Sequence, residues 1–401
     1  MVDTATLRAY WSHRQGLDGS LTGAPGAAVL ERVGWARSVG GTTPYLTLFS
    51  RAGLGRAQVD ADVAALRVHE LPSARDCTYV LPARDFALAP MVGGGASSLA
   101  ELRAAEKLGV TREEVDVLAE RVLEQLHTGG AADPAALRKS LGEHIRSLGD
   151  AGKRKGITTT LPLALGVLQA ECRIRRVPVD GRLDQQRFRY TPWPDVPHFQ
   201  GTLDGARAIL AQHYWEWLGI ASRAHFRWFS GFTVTAVKKA VAELGLEPVA
   251  GTDLLGTPAS LTELRSYAVP PTPQVALIGW LDSLVLLRRD LDGITDEADR
   301  VHPLLAPARG TAAGGSLTDL PHQGIVDRGR LIGLWDYDPG AEDVVWAPIT
   351  RLTAAQRLAT QDAVARTAAY VRDDLGDNRG MSLDSPKARA PRLAALRAHA
   401  E

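Results

Sequence analysis

Three times along these 401 residues, helical segments broken by glycine lead into extended runs around a turn. This recurrence predicts a mainly α fold with small β elements, arranged as three tandem winged-helix domains plus a small β-rich C-terminal part. A hydrophobic share of 45% against 23% charged supplies a real core and excludes disordered and fibrous readings. At roughly 150 residues per domain, the length allows two or three domains. Lys plus Arg and Asp plus Glu are 46 each, so no global basic excess advertises a polyanionic partner, and any nucleic-acid surface must be local.

The first unit is expected over 1–108. LRAYWSHRQGL reads as a helix, followed by a second from Pro25 to about Ser38, a break at Gly40-Gly41, and a third starting at Pro44, a favoured first helical position. A short helix from Gln58 to Leu66 precedes VHELPSARDCTYVLPARDF, whose CTYVL run reads as a strand between turn signals. Gly93-Gly94-Gly95 reads as a flexible connector. The second unit, 109–200, opens on a capping box from Thr111 to Glu114, with Val115, Leu118, Val122 and Leu126 on one helical face. Asp133 and Pro134 start another helix, TTTLPLALGVLQAECRIRR gives a third, and RIRRVPVDGRLDQQRFRYTPW reads as a hairpin around Val-Asp-Gly. The third unit, 201–269, repeats the order with LDGARAILAQHYWEWLG, SRAHFRWFSG and TVTAVKKAVAELG, then a hairpin in GLEPVAGTDLLGT. Over 270–371, VALIGWLDSLVLL is a long apolar run, GIVDRGRLIGLWDYDP and DVVWAPITRL read as strands, and LTAAQRLATQDAVARTAAYVRDDLG closes as an amphipathic helix. The polar, small-residue-rich stretch 372–401 is expected to be a mobile tail.

Charge is uneven locally. Between Gly152 and Trp193 stand nine basic residues, Lys153, Arg154, Lys155, Arg173, Arg175, Arg176, Arg182, Arg187 and Arg189, against three acids. Their arginines cluster on the expected wing, where side chains reach phosphates and the minor groove, while Tyr190 and Trp193 are placed to stack on a ribose or base. The competing reading is a solvated hairpin. A smaller patch holds Arg223, Arg227, Lys238 and Lys239, with no acid between Glu216 and Glu243. Trp215, Trp217 and Trp228 at helical spacing read as core. No phosphate-cradling GxxxxGK[ST], GxGxxG after a strand, HExxH or GxSxG motif occurs, and the ten histidines lack metal-ligand spacing, so neither a metal nor a cofactor is expected. Two cysteines without a CxxC pair argue against a zinc knuckle or disulfide framework and favour a reducing compartment. With no apolar N-terminal region and no run of about 18 apolar residues, a cytoplasmic monomer without a membrane partner is expected.

Five ordered blocks carry a resemblance: VGWARSVGGTTPYLTLFSR at 33–51, RDCTYVLPARDF at 75–86, HYWEWLGIASRAHFRWFSGF at 213–232, LIGWLDSLVLLRRD at 277–290 and VDRGRLIGLW at 326–335. From about Leu7 to Val371 the chain resembles the winged-helix DNA glycosylases, the YcaQ-like and azinomycin-resistance (AlkZ-like) crosslink-repair enzymes. The resemblance implies three tandem winged helices with a concave DNA-binding surface, and double-stranded DNA, alkylated or crosslinked, as partner. Arg51 and Arg75, which end the first block and begin the second, join the expected DNA contacts. The implied reaction is monofunctional N-glycosylase chemistry, in which water attacks the anomeric carbon as an N-alkylated purine departs.

The chain departs from the family at the reacting positions. The family's catalytic Gln-x-Gln or Gln-x-Asp falls where this sequence reads Gly34-Trp35-Ala36-Arg37-Ser38-Val39. Ungapped alignment through Pro44-Tyr45 puts Arg37 and Val39 at the pair, and a one-residue shift puts Ala36 and Ser38 there. Tyr79 stands where a histidine is commoner. A guanidinium stays protonated and repels an oxocarbenium, so Arg37 is not expected to retain the chemistry. Tyr79, Asp76 and Asp85 are the remaining candidates for positioning water. A diverged glycosylase, a non-catalytic DNA-binding protein acting as lesion sensor, shield or transcription regulator, and a plain structural winged-helix module all remain open.

Overall fold

The computed structural model describes residues 2–93, 96–185, 187–308, 316–382 and 384–400, and the connector expected at Gly93-Gly94-Gly95 lies in part outside them. The protein is mainly α-helical with small β-sheets. After α1 (Thr4–Arg14), capped by the Asp3 carboxylate, comes a unit of α2 (Gly26–Val33), β1 (Ala36–Arg37), α3 (Thr43–Ala52), α4 (Arg56–Ala64), β2 (Val68–Ser73) and β3 (Cys77–Pro82). Its antiparallel sheet runs β1-β3-β2. The helix expected from Pro25 to Ser38 is shorter because Gly34, at φ 96°, ends it in a conformation that side chains disfavour, after which the chain turns into β1. β2 is an addition that the sequence reading did not single out beside CTYVL.

α5 (Leu88–Gly93) and α6 (Ala96–Glu106) lead to α7 (Arg112–Gly129), α8 (Pro134–Ser140), α9 (Gly149–Arg154), α10 (Leu161–Ala170), β4 (Ile174–Pro178) and β5 (Phe188–Pro192). A single bridge from Ala132 to Tyr190 on β5 occupies the place that β1 holds in the first unit, and α9 is an extra turn of helix. The order returns in α11 (Leu203–Leu218), β6 (Ile220–Ala221), α12 (Arg223–Ser230), α13 (Val234–Ala240), β7 (Glu247–Pro248) and β8 (Leu255–Gly256), whose sheet runs β6-β8-β7. Thr111, Asp133, Thr202, Ser222 and Thr233 each cap the helix that follows them by accepting a backbone N–H.

Past α14 (Pro258–Ser266), the apolar run VALIGWLDSLVLL is divided. β9 (Val275–Ile278) enters a sheet, and the Asp282 carboxylate then caps the short α15 (Ser283–Leu286). β9 is one edge of a four-stranded antiparallel sheet ordered β12-β11-β10-β9, with β10 (Gln323–Asp327), β11 (Arg330–Asp338) and β12 (Asp343–Pro348). α16 (Ala354–Tyr370) packs on this sheet as expected of the amphipathic helix.

The expected mobile tail over 372–401 is corrected. Its C-terminal half is α17 (Pro386–Ala398), capped by Ser385 and packed on β11 and β12 with Leu393 and Leu396 buried. Burying each leucine contributes roughly 1.5–3 kcal/mol. Arg389, 1% exposed, makes a two-pronged contact with Asp377 at 2.6 and 2.8 Å, so the polar composition that suggested disorder serves an internal ion pair.

Candidate active site and nucleic-acid interface

β1 pairs through Arg37 with Tyr79 of β3 and then opens into a cleft of about 240 Å³. One wall carries Arg37, Ser38, Val39, Glu70 and Asp76, and the facing wall is the β4–β5 hairpin of the second unit with Arg176 and Phe188. The hairpin is held there because Tyr45 of α3 accepts the Leu183 N–H at 2.9 Å. Arg182 clamps the same loop by two hydrogen bonds to Asp184, at 2.9 and 2.5 Å, and one to the Leu375 carbonyl at 2.9 Å. Ser38 is 2% exposed and donates to Glu70 Oε1 at 2.5 Å. Arg37 Nη1 donates to the Thr78 carbonyl at 2.6 Å, which draws its charge toward the β3 backbone.

Between β2 and β3, Arg75 and Asp76 both take left-handed backbone, at φ 59° and 53°. Two such residues in succession are costly without glycine and persist only where packing fixes them. The packing is Arg75, whose guanidinium lies 3.0 Å from the centre of the Trp228 ring on α12. Arg289 reaches the same ring at 5.0 Å. This clamp sets Asp76 at the junction of the first cleft with a second of about 370 Å³, which shares Asp76, Thr78 and Arg176 and runs between Leu71 and Pro72 on one side and α10 on the other.

The structure brings together Arg37, Val39, Asp76 and Arg176 among the expected site residues. Others are corrected. Tyr79 is 2% exposed between Trp35 and Phe229, and burial pushes its phenol pKa upward, so it cannot serve as a base in the cleft. Asp85 is 1% exposed beneath β1, where it accepts the Trp35 Nε1–H at 2.7 Å and stands 3.5 Å from His213. Burial raises its pKa against the pull of His213, and it is a structural support away from the reacting positions. Arg51 is fully buried in a two-pronged pair with Asp282, both contacts 2.7 Å, so it cannot meet a phosphate. Tyr190 and Trp193 are core residues rather than stacking platforms, Trp193 packing on Phe86 and His69. Burial lowers the pKa of His69 to about 3, helped by the nearby charge of Arg175, and keeps the ring neutral. Trp215 and Trp217 lie in the core as expected, whereas Trp228 is the ring that Arg75 covers.

The basic residues divide by partner. Arg173 is committed to Glu120, Lys239 to Asp204, Lys153 to Asp150, and Arg187 lies 3.8 Å from Asp180. Arg175 is half-buried on β4, and Arg176 donates to Gln169 at 2.8 Å while covering the Phe188 ring at 4.4 Å. Arg154, Lys155, Arg189, Arg223, Arg227 and Lys238 are exposed, with no ion pair among the described residues. Sequence reading missed Glu70, placed Ser38 only as an alternative register, and did not foresee that Tyr45 would seat the hairpin. Glu70 had one signal, a lone acid inside the otherwise strand-like VHELP. Among the described residues, no three His, Cys, Asp or Glu side chains form a group fit for a metal ion, and no helix is long and apolar enough to cross a membrane.

The match of a DNA glycosylase family model to most of the chain makes this a DNA-glycosylase-like protein. The DNA glycosylase AlkZ-like family matches residues 32–370, and the chain belongs to that family. Among solved structures it is similar to the Streptomyces sahachiroi DNA glycosylase AlkZ, with a TM-score of 0.67 and 19% identity over 94% of this chain and 98% of that one. No curated protein matched the chain in sequence.

Proposed function

We propose that this protein is a DNA-binding N-glycosylase that excises N-alkylated purines. Its three helix-and-sheet repeats are read as tandem winged helices, with α4, α10 and α13 in the place of recognition helices. The observation that carries the proposal is the cleft at β1, where carboxylate and hydroxyl groups stand opposite the arginine-bearing hairpin. A purine alkylated at N7 is already cationic and leaves readily, so the protein mainly needs to position water and favour oxocarbenium character at the sugar. The adjoining cleft of about 370 Å³ offers room for an adduct larger than a methyl group. The test is incubation of the full chain with duplex DNA bearing N7-alkylguanines of several sizes. Abasic sites are expected faster than spontaneous depurination, and equal rates for every adduct would reject the reading. Arg37 and Val39 at the family pair favour a second reading, a DNA-binding protein without catalysis, and that same outcome would support it.

DNA binding itself has a separate check. Arg154→Ala, Lys155→Ala and Arg189→Ala together are expected to weaken duplex affinity and reduce the slope of log affinity against log salt by about one unit per lost phosphate contact. Fluorescence anisotropy over a salt series measures both quantities. An unchanged slope would exclude these residues from the interface.

A further inference from the structure

We infer that Glu70 is the catalytic carboxylate, the group that orients and deprotonates the attacking water, with Ser38 as its positioning residue. The inference rests on the glycosylase reading above. Glu70 and Ala36 pair with Val80 from its two sides, so Glu70 lies across the central strand from β1, within reach of Ser38. The Ser38 hydroxyl, buried and donating to Oε1, fixes the carboxylate. Oε2 receives no hydrogen bond from the described residues and belongs to a side chain lining the cleft. An anchored carboxylate with one oxygen left over can accept from a water and hold it against a sugar. Arg37, which lines the same cleft, carries the wrong charge to accept a proton.

In the reaction, the C1′–N9 bond breaks and its electron pair moves into the purine, neutralising the cationic imidazolium ring. Water oxygen bonds to C1′, one water proton passes to Glu70, and the carboxyl returns it to solvent. The ionised Glu70 also stabilises the positive charge that grows on the sugar as the base departs, against the opposing charge of Arg37, whose guanidinium donates to the Thr78 carbonyl.

The deciding experiment compares wild type, Glu70→Gln and Glu70→Asp on duplex DNA carrying 7-methylguanine, measuring single-turnover excision and affinity for undamaged duplex. Glu70→Gln preserves shape and the Ser38 hydrogen bond, and is expected to slow excision by about a hundredfold or more at unchanged affinity. Glu70→Asp keeps the charge but withdraws it from the water, and is expected to fall between the two. Should Glu70→Gln fail to fold, a Glu70→Asp protein excising at the wild-type rate would overturn the assignment. A folded Glu70→Gln protein at the wild-type rate overturns it as well, leaving the glycosylase reading intact. A wild-type protein that excises nothing overturns both.

Discussion

Asp282→Ala is expected to destabilise the protein by about 3–5 kcal/mol, because it strands the Arg51 guanidinium in the core. Both side chains are essentially without solvent contact, and the pair joins α3 of the first unit to the cap of α15 in the C-terminal part. Arg51 also donates to the Gln15 carbonyl at 2.8 Å and to Ser283 at 3.1 Å, so with the Asp282 carboxylate three groups from distant segments are organised around one charge. Removing the carboxylate deletes the counter-charge and the helix cap together, while leaving the charge no route to water. Arg51→Met combined with Asp282→Ala removes both charges and is expected to recover a large part of the loss, since an unpaired buried ion costs more than an absent pair. Thermal unfolding followed by circular dichroism reads the order wild type, double variant, single variant. An Asp282→Ala protein that melts with wild type would contradict the structural role assigned to Arg51.

Much of this fold was legible because its signals are local. Caps at Thr111, Asp133 and Thr202 mark helix starts through one short-range hydrogen bond each, and the Val-Asp-Gly turn lies between β4 and β5 as read. Elements decided by distant partners were not legible. β1 is two residues long and exists because β3, some forty positions later, accepts it as an edge. α17 reads as a tail until Asp377 supplies the charge that buries Arg389. At the site, the sequence counted arginines but could not tell which were spent on neighbours. Arg51, Arg173 and Arg182 have committed carboxylate partners, whereas Arg154 and Arg189 do not. Glu70 escaped notice for a related reason: its importance comes from Ser38 and from a hairpin more than a hundred residues downstream.

On the proposed reading, the cleft at β1 favours positive charge on a deoxyribose held in a duplex. A protonated pyrrolidine in place of that sugar mimics the oxocarbenium, and a site complementary to the transition state binds such a mimic far more tightly than the ground state. Glu70 is the group on which the difference should depend, so Glu70→Gln is expected to lose most of it while keeping ordinary duplex affinity. The direct measurement is equilibrium binding of a duplex containing one pyrrolidine abasic mimic against the same duplex with an intact nucleotide. Tighter binding of the mimic by at least about a hundredfold is expected, and equal affinity for the two duplexes would show that the cleft does not favour positive charge on the sugar.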